Sequence, residues 1–177
     1  MTDTNAGDPH RHQPAHTVVW TNDYCRALRK AGDVGKTLRV LFGGSHLSQP
    51  SLTSFGVRPG SWVYSLRVDK GCLVIVAAMR VERFIGISEY VKDVLGLPES
   101  YLSLHLFTLE ERLRREHPEG GHLLPRGFIV EVALGTNGSS IRLDRLVPAD
   151  VVEKMRFVSR RGERPIKHLE AGVINAR

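Results

Sequence analysis

The stretch that decides the fold is residues 57–85: VRPGSWVYSLRV (57–68), the link DKG (69–71), and CLVIVAAMRVERFI (72–85). Both arms are rich in β-branched and aromatic residues, and a short glycine-bearing link between two such runs is the signature of a β-hairpin. Residues 73–78 are apolar at every position, so they fit a strand with covered faces and neighbours on both sides, a central strand.

Working outward toward the N-terminus, the pattern from Thr21 is helical. Thr21 or Asn22 stands at the N-cap, Tyr24 and Leu28 share a face, and Gly32 takes the position just past the C-cap. Residues 36–42 read as a strand, and FGGSHLSQPSLTS (42–54) reads as a loop, since glycine, serine and proline leave little regular structure. Residues 1–16, MTDTNAGDPHRHQPAH, are polar, carry two prolines and lack hydrophobic periodicity, which predicts a disordered arm before a single domain over 17–177.

Toward the C-terminus, Ser88 is expected to cap a short helix through Leu95. In 101–107 the alternation of Leu102, Leu104 and Leu106 with polar residues leaves strand and helix both open. Thr108 and Glu111 form a capping box for a helix ended by His117-Pro118. A second hairpin is expected from FIVEVALG (128–135) and IRLDRLV (141–147), and Pro148 at the first helical position opens a helix to Met155. The last twenty residues read as irregular and basic. The sum is five to six strands with short flanking helices, without βαβ alternation or repeats. That predicts an α+β fold built on a mostly antiparallel, barrel-like sheet.

Composition narrows the function classes. Of 177 residues 41% are hydrophobic, 25% charged and 7% aromatic, which is an ordinary globular composition. Lys and Arg number 25 against 19 Asp and Glu, a formal +6; without the arm the balance is 24 against 17, or +7. Such a charge favours polyanionic partners. Cys25 and Cys72 form neither a disulfide framework nor a CxxC pair, and both are expected reduced in the core. His10, His12 and His16 lack the Cys or carboxylate partners of a metal site, so no metal and no cofactor is expected. No apolar run is long enough to span a bilayer and no secretory leader is visible, which predicts a cytoplasmic protein without a membrane partner.

GDVGKT (32–37) imitates the end of a phosphate-binding loop, but GxxxxGK[ST] would need its first glycine at position 30, which is Lys30. A helix also precedes it where that motif demands a strand. The same residues fit another pattern: a helix over 25–30, then Gly35, Lys36 and Arg39, and later Pro59-Gly60-Ser61-Trp62-Val63-Tyr64 with an extended strand at 77–84. This arrangement resembles the PUA-like superfamily, ASCH-type domains in particular, whose fold EVE and YTH domains share. The resemblance covers residues 17–134; Lys36 follows Gly35 directly, and Ser61 stands where the family's turn has aspartate. It implies a small barrel with a cleft for RNA or a modified nucleobase. In some ASCH-type proteins it implies a metal-independent ribonuclease, for which Lys36 and Arg39 are the catalytic candidates here.

Phosphate is held by Lys and Arg through counterion release and, for Arg, paired hydrogen bonds. The run RFVSRRGERPIKH (156–168) carries Arg156, Arg160, Arg161, Arg164 and Lys167 against Glu163 alone, a net +4 in thirteen residues. With His168 it is either a nucleic-acid contact or a solvated loop. Arg142 and Asp144 share a strand face and suggest a salt bridge. Trp62 and Tyr64 also share a face, open either to core packing or to stacking on unpaired bases. His46 and His168 are the candidates for proton transfer, and no GxSxG elbow supports a serine hydrolase. Three functions therefore stand: a domain binding RNA or a modified nucleobase, a ribonuclease using the same cleft, and a module docking an acidic protein partner.

Overall fold

A computed structural model of the chain describes residues 15–44, 51–98, 100, 129–159, 162–165, 169–170 and 173–174. Residues 1–14 of the expected arm, the 101–107 stretch and the capping box at Thr108 lie outside the described residues. The element order is β1 (His16–Val19), α1 (Asn22–Lys30), β2 (Val40–Gly44), a 3-10 turn (Thr53–Phe55), β3 (Trp62–Asp69), β4 (Cys72–Arg80), β5 (Arg83–Ile85), α2 (Ile87–Glu89) running into a π-turn (Tyr90–Val94), β6 (Ile129–Leu134), α3 (Ala149–Lys154), and the short strands β7 (Arg156–Ser159), β8 (Gly162–Pro165), β9 (Leu169–Glu170) and β10 (Val173–Ile174). The class is α+β. Its two larger sheets have three strands each, in the orders β1-β3-β4 and β2-β6-β5, and among the described residues they do not close into a barrel.

The decisive hairpin is present. Asp69 pairs with Cys72 across Lys70 and Gly71, both at positive φ (49° and 79°), as a tight two-residue turn matched to strand twist requires. The pairing carries a β-bulge: Leu66 faces Ile75 but Ser65 faces Ala77, so Val76 is the extra residue and both Val76 and Ala77 turn into the core. β3, not β4, is the middle strand of its sheet, because β1 adds to it in parallel. The far edge of β4 is nevertheless occupied. The extended stretch 138–147 bonds to it through Ser139 N to Ala78 O, Arg142 N to Val76 O, Ile75 N to Arg145 O and Val147 N to Leu73 O.

That stretch replaces the expected second hairpin. Residues 141–147 do not fold back on β6, whose partners are β2 and β5; they cross to β4, while 35–38 bond along their other side. Two close approaches allow the crossing. A Cβ on Gly138 would stand 1.7 Å from the Leu38 carbonyl oxygen, and one on Gly135 would stand 2.4 Å from that of Arg80, so only glycine passes. Ile141 and Leu143 enter the core, and Arg142 and Asp144 face outward as an ion pair.

α1 follows its sequence signals. The Thr21 hydroxyl accepts from Tyr24 N–H at 3.2 Å, and Gly32 (φ 75°) ends the helix with Asp33 N–H returning to the Leu28 carbonyl. Other local expectations shift. β2 starts at Val40 rather than Lys36 and runs on through Gly44; Gly86, not Ser88, precedes α2, and Pro148 sits at the N-cap of α3. His16, the last residue assigned to the arm, is the first of β1. Among its described residues the basic tail is not irregular in backbone, since β7 and β8 pair antiparallel from Arg156↔Pro165 to Ser159↔Gly162.

The main core lies between α1 and the inner face of β1-β3-β4, with Cys25, Leu28, Val63, Val76, Met79 and Ile141 at its centre. Each such side chain contributes about 1.5–3 kcal/mol through burial. Cys72, by contrast, is only half-buried. A second cluster packs Val40, Val91 and Val132 around Tyr90, whose ring meets Phe42 edge-on, and burial raises the Tyr90 hydroxyl far above its ordinary range. Among the described residues no helix is long and apolar enough to cross a membrane.

Candidate functional site

Strand alternation sorts β3 into two faces. Val63 and Ser65 are fully buried under α1, and Trp62 and Tyr64 therefore point to the opposite, outer face. Part of that outer face is roofed. Val152 and Met155 of the α3 region and Val147 cover Leu66, Val68, Leu73 and Ile75, with Tyr64 at the rim of the cluster. Trp62, Ala78 and Arg80 are not part of that cluster. Trp62 is 38% exposed, its ring centroid 6.4 Å from that of Tyr64 with the planes tilted by 34°.

The turn before β3 sets this edge. Arg58-Pro59-Gly60-Ser61 is a β-turn with proline at its second position, glycine at φ 91° at its third, and Ser61 N–H bonded to the Arg58 carbonyl at 2.9 Å. The Gly60 carbonyl then accepts from Arg80 Nε at 3.2 Å. Arg80 is exposed and lies directly across from Trp62, and Ala78 lies directly across from Tyr64. Two aromatic rings, one guanidinium and one small residue thus occupy four adjoining positions of one sheet face. The bulge is responsible: uninterrupted pairing from Asp69↔Cys72 would set Trp62 against Met79 and turn Arg80 away.

Arg39 comes to the neighbouring edge. It is exposed between buried Leu38 and Val40, and its carbonyl accepts from Gly135 N–H at 3.0 Å, the glycine that also lies against the Arg80 carbonyl. Lys36 is not gathered there. Its ammonium bonds the buried Asp33 carboxylate at 2.9 Å, at the C-terminal end of α1, the helix packed on the inner face. The basic run begins at the roof: β7 starts one residue after Met155. The side chains of Arg156 and Arg164, and all of Arg160, Arg161, Lys167 and His168, lie outside the described residues, as does His46.

Elsewhere, charge is committed to structure. Arg67, buried, donates to Asp69 Oδ2 at 2.7 Å and to the Leu143 carbonyl at 2.9 Å, and burial outweighs its nearby charge in pushing the Cys25 thiol up. Glu131 accepts from Ser51 Oγ, Thr53 N–H and Thr53 Oγ1 at 2.8–3.1 Å and lies over Gly43, fastening the 3-10 turn to the second sheet. Arg142 and Asp144 hold each other with two bonds of 3.0 Å, raising the arginine and lowering the carboxyl. Arg80 and Ala78 are the site residues that sequence reasoning missed.

The chain matches no family model, no curated protein and no solved structure.

Proposed function

We propose that this chain is a nucleic-acid-binding domain of PUA-like, barrel-related kind that uses the unroofed part of the β1-β3-β4 outer face. The observation that carries the reading is the Trp62–Tyr64 pair beside Arg80, a π surface next to an exposed cation on one sheet face. Bases stack on aromatic rings and phosphates pair with guanidinium groups, so the two chemistries of a nucleotide meet complementary groups within a few ångströms. The +7 balance of residues 17–177 and the basic run that starts beside the roof supply the attraction over longer range.

Binding is preferred here to cleavage. A ribonuclease built on Lys36 would need that ammonium at the phosphate, and in this structure the ammonium is paired with the buried Asp33 carboxylate. Docking of an acidic protein would use the arginines but gives no role to the paired rings. The test is a fluorescence-anisotropy titration of the whole protein with labelled oligonucleotide over a range of salt. Affinity is expected to fall steeply as salt rises, by counterion release. No binding at low ionic strength would reject the reading.

A further inference from the structure

Resting on that reading, we infer that the open part of the outer face takes single-stranded nucleic acid, with one base seated over Ala78 against the Tyr64 ring and a flanking phosphate on Arg80. Three corners of the four-residue patch are large: Trp62, Tyr64 and Arg80. The fourth, Ala78, ends at Cβ and is only partly covered. Among these four side chains a shallow bay therefore lies over Ala78, beside the Trp62 and Tyr64 rings.

The floor of the bay is fixed. Ala78 N–H donates to Ser139 Oγ at 2.9 Å and its carbonyl accepts from Ser139 N–H at 2.8 Å, so the β4 backbone cannot tilt to close it. Its cation is also held. One donor of Arg80 is tied to the Gly60 carbonyl, which orients the guanidinium and leaves its terminal nitrogens at the rim. Guanidinium and phosphate are complementary in both charge and hydrogen-bond geometry.

Duplexes do not satisfy this arrangement. Their bases are stacked on one another, so none offers a free face to the Trp62 and Tyr64 rings. An unpaired base presents the π surface that the rings require. The sugar is not discriminated by these groups, so single-stranded RNA and single-stranded DNA are both ligands of this patch.

The test compares single-stranded and duplex oligonucleotides of matched length at one ionic strength, with wild type and Ala78→Val. Wild type is expected to prefer single strands by about ten-fold, the worth of one stacked base, and Ala78→Val, which fills the bay with a strand-favouring side chain, to lose most of that preference. A second readout does not depend on that variant. In Trp20→Phe, Trp62 is the remaining tryptophan, and its emission should be quenched by single strands and not by duplex. Equal affinity for both forms, or quenching by both, overturns the inference while leaving nucleic-acid binding in place. Absence of binding to any oligonucleotide removes the underlying reading and the inference with it.

Discussion

The outer face of the β1-β3-β4 sheet has two halves that share the same strands and differ in what they carry. One half, Leu66, Val68, Leu73 and Ile75, is aliphatic and lies under Val152 and Met155; the other, Trp62, Ala78 and Arg80 with Tyr64 at the boundary, lies outside the cluster that α3 covers. Aliphatic strand positions are what a helix needs to land on, since flat branched side chains interdigitate with its apolar stripe. Rings with a guanidinium and an alanine make a poor helix seat and a good ligand seat. The position of the α3 roof therefore divides a stabilising surface from the proposed recognising one within a span of eight strand residues.

The roofed half should respond most strongly to damage. Val152 is buried at 2% exposure, and Val152→Asp puts an unpaired carboxylate against Leu66 and Leu73. A loss of about 2–4 kcal/mol in denaturant unfolding is expected, from lost burial plus the cost of desolvating a polar group. Oligonucleotide affinity should fall too, because the basic run begins where α3 ends. A stability change under about 0.5 kcal/mol would mean that α3 does not seat on this sheet.

The open half should show the reverse pattern. Trp62→Ala is expected to cost about 1–2 kcal/mol in stability, less than Val152→Asp because its ring is part-exposed, and to weaken single-strand binding about ten-fold. If Trp62→Ala destabilises as much as Val152→Asp and leaves affinity alone, both halves are structural.

Much of the sheet was legible in the sequence, and the reason is local. The DKG turn, the capped α1 and its glycine stop each follow from a few neighbouring residues whose backbone preferences leave little choice. What sequence could not give was pairing between distant segments. Residues 141–147 alternate as a strand should, but alternation does not name a partner; Gly135 and Gly138 admit the backbone to β4 instead of β6. The site shows the same limit. Trp62 and Tyr64 were visible as a pair, but Arg80 stands beside them only because the bulge at Val76 moves the register by one residue. An all-apolar run holds no signal of where a bulge falls. Lys36 misled for a related reason, since its partner Asp33 is set by how α1 ends rather than by any motif.

A pair of variants separates those two cations. Lys36→Ala leaves the buried Asp33 carboxylate without its ion-pair partner and should cost about 1–2 kcal/mol, less than a wholly buried pair because Lys36 is part-exposed. Its effect on binding should be small once folding is controlled. Arg39→Ala should leave stability within about 0.5 kcal/mol and reduce the salt dependence of binding instead. If the two variants exchange these behaviours, the phosphate track runs along the α1 side, and the contrast between the halves of the outer face no longer marks the ligand seat.

The smallest effect expected concerns β1, the parallel edge strand beside Tyr64. His16 pairs with Val63, its Nε2 is buried without a partner, and burial, then the charge of Arg58, lowers its pKa from 6.5. A group whose folded pKa is depressed contributes stability that is present above its unfolded value and lost as pH falls through the folded one. The thermal midpoint should thus decline on acidification from about pH 6.5 and level off once His16 is protonated in both states. His16→Gln should remove this step. Asp144, lowered by its bonds from Arg142, begins to lose its own contribution only near its ordinary 3.8, well below the pH at which the His16 step begins. The outcome bears on the ligand seat through Thr17, the β1 residue opposite Tyr64. If β1 loosens as His16 gains its proton, single-strand affinity should change within the same pH window in wild type and not in His16→Gln. An acid step that survives His16→Gln would assign the pH response to other groups.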